Sequence, residues 1–125
     1  MSNPLSVVII AKNEEKFIQD AIKSAQFADE VLLLDSGSIE KTCEIAKKMG
    51  VRVENQVWLG FGPQKNRAVD LASNDWVFVL DSDERISSKL QLEIIATLNN
   101  PSCDGYLVAR LNNFFGKDMR TCGLY

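Results

Sequence analysis

The sequence predicts an α/β fold, a mostly parallel sheet with helices on both faces. Three observations carry this. Runs of β-branched and aliphatic residues recur roughly 25 residues apart, the spacing a parallel pair needs for its crossover. Segments with apolar residues at helical intervals lie between them. The side chains with most chemical capacity, Lys12, Asn13, Asp35, Asp81 and Asp83, follow directly on strand-like runs, and open α/β sheets bind ligands beyond the carboxyl ends of their strands.

Taken in order, Leu5 to Ile10 (LSVVII) is a continuous apolar run suited to a strand covered on both faces. Ala11-Lys-Asn-Glu-Glu15 breaks it, and Asn13 is expected to cap a helix in which Phe17, Ile18, Ala21, Ile22 and Ala25 share one stripe. Glu14 and Glu15 would then sit near the positive end of that helix. Glu30 to Asp35 (EVLLLD) is a second strand, and Ser36-Gly37-Ser38 turns the chain. A helix from about Ile39 to Met49 places Ile39, Thr42, Cys43, Ala46 and Met49 inward and stops at Gly50. Val51 to Glu54 is a weaker third strand. Asn55 to Gly62 reads as a loop, after which Pro63 occupies the first turn of a helix through Ala72. Trp76 to Leu80 is the fourth strand. Ser87 caps a helix over Ser88 to Leu98 with Leu90, Ile94, Ile95 and Leu98 on one stripe. Gly105 to Arg110 is the fifth strand, and a Phe/Gly loop closes the chain.

The 125 residues suit one domain with a core of its own. A net charge of −3 with scattered Lys and Arg gives no nucleic-acid face. Cys43, Cys103 and Cys122 form no CxxC pair, which argues against a disulfide framework or a zinc site. The chain has no histidine, so imidazole acid/base chemistry and His-dependent triads are excluded. No apolar run reaches the roughly 20 residues of a membrane span. A basic signal-peptide head is also missing, and a cytoplasmic setting is the expectation.

WVFVLDSDER, residues 76 to 85, ends an apolar run in three acids. Asp81 and Asp83, with no imidazole or thiolate nearby in sequence, suit Mg2+ or Mn2+, an ion most useful beside phosphates. A solvated turn accounts for the same residues, since Asp and Ser favour turns, and Arg85 could neutralise the cluster internally. Asp35 is placed to accept hydrogen bonds from a ribose or a base edge, or to cap its own turn through Ser38. The glycine fingerprint of a dinucleotide site is missing after the first strand, and there is no Walker motif. Lys65 and Arg67 could reach a diphosphate at a helix N-terminus, or lie on a solvated helix face. The loop holding Trp58 and Phe61 is a lid, a binding wall or a flap on the sheet edge.

The stretches LSVVIIAKNEE, EVLLLDSGSIEKTCEIAKKMG and GFGPQKNRAVDLASNDWVFVLDSDERI together resemble the family 2 glycosyltransferases of GT-A fold. They are similar above all to the bacterial lipopolysaccharide core group that transfers glucose. The resemblance runs from about Leu5 to Gly116. It implies that Ala11, Lys12, Asn13 and Glu14 line the uracil and ribose pocket, that Asp35 contacts the nucleoside, and that Lys65 lies near that pocket and the phosphates. Asp81 and Asp83 match the family's DxD motif, with Asp83 the direct metal ligand and Asp81 facing ribose or sugar. Glu84 and Arg85 match an extension common in the group. The turn usually reads DSGSTD, and Ile39 and Glu40 depart from it.

The resemblance further implies an inverting transfer of a hexose, glucose foremost, from a UDP-sugar to a lipopolysaccharide core or similar glycan, with Mg2+ or Mn2+ as cofactor. It makes residues 1–125 the nucleotide-sugar-binding domain and expects the general base and the acceptor-binding part beyond Tyr125. Acceptors in the group are lipid-anchored, which leaves a peripheral contact at the inner face of the cytoplasmic membrane open. The competing readings are a non-catalytic nucleotide-sugar-binding domain of the same fold and a divalent-metal phosphoesterase.

Overall fold

The computed structural model describes residues 3–13, 15–38, 41–99, 105–108 and 113–116. Six strands form one sheet in the order β3-β2-β1-β4-β6-β5. They are β1 (Leu5–Ala11), β2 (Glu30–Asp35), β3 (Arg52–Asn55), β4 (Trp76–Asp81), β5 (Gly105–Val108) and β6 (Asn113–Gly116). The first four are mutually parallel, and β6 runs antiparallel to both β4 and β5. The mostly parallel α/β sheet expected from the sequence is therefore present.

Alternation along β1, β2 and β4 sorts their side chains onto two faces. On one face Leu5, Val7, Ile9, Leu33, Phe78 and Leu80 pack with α1 (Ile18–Ala25), α2 (Thr42–Lys48) and α4 (Ser88–Asn99). On the other, Val8, Leu32, Leu34, Val77 and Val79 pack with α3 (Phe61–Leu71) through Ala68 and Val69. Burial on both faces explains why the strand sequences read as unbroken apolar runs. The chain moves outward from β1 to β3 and then returns across the opposite face to β4. The order thus reverses between β1 and β4, and a crevice opens at such a switch point.

Four expectations need correction. Asn13 does not cap α1, which starts five residues later behind Phe17 with no side-chain cap. Asn13 instead adopts φ 54°, a left-handed conformation that Asn tolerates, and its N–H donates to Ser38 Oγ at 2.7 Å. Phe17 precedes the helix and is 45% exposed, with the Lys16 ammonium 5.5 Å from its ring centre. Ile95 is 40% exposed because the buried stripe of α4 keeps to Leu90, Ile94 and Leu98, and position 95 lies a quarter-turn further round. The closing Phe/Gly segment contains β6, inserted between β4 and β5, because β4 otherwise presents an unpaired edge. Ser87 does cap α4: its Oγ accepts the Leu90 N–H at 3.1 Å. Glu14, Ile39 and Glu40 lie outside the described residues, as do Arg110, Cys103 and Cys122.

Candidate functional site

The carboxyl edge of the sheet is assembled by register. Ala11 at the end of β1 pairs with Asp35 at the end of β2, and Ile10 pairs with Asp81 at the end of β4. Asp35 and Asp81 thus end the two strands flanking β1, on either side of the switch point. Asp35 pairs in turn with Asn55 of β3.

Asp35 is 1% exposed. Its Oδ2 accepts the N–H groups of Gly37 at 3.0 Å and Ser38 at 2.8 Å, and its Oδ1 accepts the Ser38 hydroxyl. Gly37 has φ 100°, which an L side chain rarely adopts and which brings both amides onto one carboxylate. Ser36 N–H donates to Ala11 O at 3.0 Å, and Asn13 N–H donates to Ser38 Oγ. The loops after β1 and β2 are therefore one hydrogen-bonded unit, with Asp35 at its centre and Lys12 and Asn13 exposed on top. Burial and the neighbouring Asp35, both its charge and its hydrogen bond, push the Cys43 thiol up, against the pull of Lys47.

The acids after β4 differ. Glu84 N–H donates to Asp81 O at 3.0 Å, closing a tight turn over Asp81-Ser82-Asp83-Glu84. Ser82 is buried, Asp81 half-buried and Asp83 exposed. Arg85 does not close on these acids but extends towards Asp20 of α1, at 4.0 Å between two exposed side chains. No side chain among the described residues donates to Asp81 or Asp83. There is also no cluster of three or more His, Cys, Asp or Glu able to hold a metal among those residues. A cation here would have to complete its shell from substrate oxygens and water, the usual habit of Mg2+.

Lys65, half-buried, is the fifth residue of α3, and Arg67 is exposed, its Nε donating to Gln56 Oε1 at 3.2 Å. Val57, Trp58, Leu59 and Phe61 are 80%, 46%, 48% and 78% exposed, so the loop is not a flap folded onto the sheet. Trp58 and Phe61 meet edge to face at 5.1 Å. A cavity of about 250 Å³ lined by Asn3, Ser73, Asn74 and Trp76 opens at the opposite, amino edge, away from these groups. Among the described residues no helix is long and apolar enough to cross a membrane.

A sequence profile described as glycosyl transferase family 2 matches residues 6–120. The chain belongs to that family. Its fold is the GT-A fold. An uncharacterized glycosyltransferase of Rickettsia bellii is 38% identical over 89% of this chain and 38% of its own length. A lipopolysaccharide core biosynthesis glycosyltransferase of Rhizobium meliloti is 32% identical over 86% of this chain and 42% of its own. The chain thus spans about two fifths of the length of the curated relatives it matches. Among solved structures, S. aureus TarS 1-349 superposes with a TM-score of 0.71 at 25% identity, over 83% of this chain and 34% of TarS. Glucosyl-3-phosphoglycerate synthase of Mycobacterium tuberculosis, in complex with Mn2+, UDP and glucosyl-3-phosphoglycerate, superposes with a TM-score of 0.65 at 28% identity, over 80% of this chain and 41% of that one.

Proposed function

We propose that this family 2 chain is the donor-binding part of a glycosyltransferase. In this reading it takes a UDP-sugar and delivers the hexose, glucose foremost, to a lipopolysaccharide core or similar glycan. The observation that carries the reading is the register at the switch point: Asp35 and Asp81 end the strands on either side of β1, and the turn after Asp81 leaves Asp83 exposed. Further support comes from the relative named for lipopolysaccharide core biosynthesis and from the synthase structure that holds UDP and Mn2+.

The residues then divide the donor between them. Ala11, Lys12, Asn13 and Glu14 wall the nucleoside, on the loop that Asp35 holds in place through Ser38. Asp35 is the acid assigned to the nucleoside; its carboxylate is enclosed and accepts from Gly37 and Ser38, so the contact requires its loop to give up a donor. Lys65 and the N-terminal turn of α3 face the diphosphate. Asp83 and Asp81 would hold a Mg2+ or Mn2+ ion, which would supply neutralising charge beside the departing diphosphate. An acceptor hydroxyl attacks the anomeric carbon opposite the diphosphate, the carbon–oxygen bond to phosphate breaks, and the configuration inverts. The acceptor proton passes to a general base.

Calorimetry with UDP, with and without Mn2+, tests this. The expected result is cation-dependent binding that Asp83→Ala weakens at least about tenfold. No binding in either condition, or binding indifferent both to Mn2+ and to Asp83→Ala, would overturn it.

A further inference from the structure

Gln64 stands in the first turn of α3 and is 0% exposed. Its Oε1 accepts the Leu59 N–H at 3.1 Å. Its Nε2, also buried, has no hydrogen-bond partner among the described residues. A reversed amide would set the NH2 group against the Leu59 N–H, donor against donor, so the orientation is fixed by this contact. An unpaired buried amide donor costs on the order of 1–3 kcal/mol, and an apolar side chain of similar volume would avoid that cost.

Its location gives the donor a use. Helical side chains lean towards the helix N-terminus, and the Oε1 contact with Leu59 shows Gln64 doing so. The NH2 group therefore lies at the carboxyl edge of the sheet, beside the N–H groups that the start of α3 leaves unpaired within the helix. Asp81 shares this face of the sheet, since it continues the alternation of Val77 and Val79, which pack against α3. Leu59 lies against the amide, and Gly60, next in the chain, adopts φ 103°, a left-handed conformation that suits glycine.

We propose that Gln64 is a donor-recognition residue: its Nε2 hydrogen-bonds an acceptor oxygen of the bound nucleotide, and its Oε1 holds the Leu59–Gly60 segment beside that ligand. The oxygen belongs to a base carbonyl or to a phosphate. This rests on the UDP reading above.

The test observes the side-chain amide directly. In a 15N-labelled sample of the full chain, the Gln64 NH2 resonances, assigned by their loss in Gln64→Glu, are expected to shift on saturation with UDP and Mn2+. Resonances that stay in place while UDP binds would overturn the inference and leave the UDP reading intact. Absence of UDP binding to the unaltered chain would instead remove the reading on which it rests. Calorimetry on two variants gives a second measurement. Gln64→Glu keeps an acceptor for Leu59 but loses the NH2 group, and Gln64→Met loses both. Both are expected to bind UDP at least about tenfold more weakly. A loss confined to Gln64→Met would reduce Gln64 to a loop clamp and overturn the assignment. Repeating the titrations with uridine locates the oxygen: a loss that persists puts it on the base, and a loss seen only with UDP puts it on the diphosphate.

Discussion

The two ends of the same sheet treat their polar groups in opposite ways. At the amino edge, Glu30 accepts the Ser73 N–H at 2.8 Å, the Ser73 hydroxyl at 2.7 Å and the Ser6 hydroxyl at 2.8 Å, and Arg52 reaches it at 3.4 Å. Ser6, fully buried in β1, also accepts from the backbone and side chain of Asn74. The network ties β1, β2, β3 and the α3–β4 turn together, since Arg52 also donates to Leu71 O at 2.9 Å. At the carboxyl edge, Asp35 is the acid seen to be enclosed in this way among the described residues. Asp81 and Asp83 receive no side-chain donor among the described residues, the Gln64 amide has a spare donor, and four apolar side chains stand in solvent. One edge uses its polar groups to hold strands in register. At the other, Asp81, Asp83 and the Gln64 NH2 group have no side-chain partner among the described residues, as expected of groups kept for a ligand.

The largest test of this contrast is Asp35, the one carboxyl-edge acid that is both enclosed and assigned to the ligand. Asp35→Ala leaves the Gly37 and Ser38 amides without their acceptor and frees the loop that holds Asn13. We expect a loss of about 3 kcal/mol in stability by urea denaturation, because hydrogen bonds to charged groups contribute roughly 1.5–3 kcal/mol each and are not additive. UDP binding should disappear with it. A variant as stable as the parent would mean that the loop holds itself and that Asp35 serves the ligand alone.

Glu30→Gln comes next and should separate the edges. It removes the charge from the amino-edge network, and about 2 kcal/mol of stability should be lost while UDP affinity stays within about twofold of the parent. The pH dependence has a definite sign. Burial pushes the Glu30 carboxyl up, but the Ser73 amide, the Ser73 and Ser6 hydroxyls and the Arg52 charge together outweigh it and hold the group below the ordinary Glu value. A carboxylate lowered in the folded state contributes stability above its unfolded pKa and loses it as pH falls through the folded one. Denaturation midpoints measured from pH 6 downwards should therefore fall less steeply in Glu30→Gln than in the parent, and parallel profiles would show that Glu30 is not a linked group.

Much of this contrast is legible in the residue order, and the exceptions share a cause. β1, β2 and β4 are readable because burial on both faces leaves continuous apolar runs, and Pro63 marks the first turn of α3 because its missing N–H costs nothing there. Asp35, Asp81 and Asp83 stand out because a charge directly after such a run has to meet something. Gln64, Ser6 and Ser82 are not readable. Gln64 and Ser82 are polar residues that local pattern assigns to solvent, while Ser6 lies in a run read as covered on both faces but its partners Glu30 and Asn74 are not foreseeable; Gln64 is held by the loop five residues before it. Ile95 and Phe17 are the converse, apolar residues that fit a helical stripe by spacing but fall just outside the face or the helix that is covered. The short β6 fails for a further reason, since pairing with β4 requires an edge that only the assembled sheet provides.

The smallest expected stability effect is the most diagnostic. Asp81→Asn and Asp83→Asn each remove a charge from a turn in which like charges crowd and no partner side chain is lost. If the carboxyl edge is kept for a ligand, stability should change by no more than about 0.5 kcal/mol, with a slight gain as readily as a loss, since the removed charge was only repelled. The same two variants should lose the Mn2+-dependent part of UDP binding, and Asp83→Asn should lose more of it because Asp83 is exposed while Asp81 is half-buried at the strand end. Urea denaturation and calorimetry on the same samples give both numbers. A stability loss like that of Glu30→Gln would mean these acids hold the fold together as the amino-edge network does, and the distinction between the two edges would fail. Unchanged stability with lost cation dependence is the outcome that only a ligand-directed role produces, because a solvated turn would leave both unmoved and a structural cluster would lower the first.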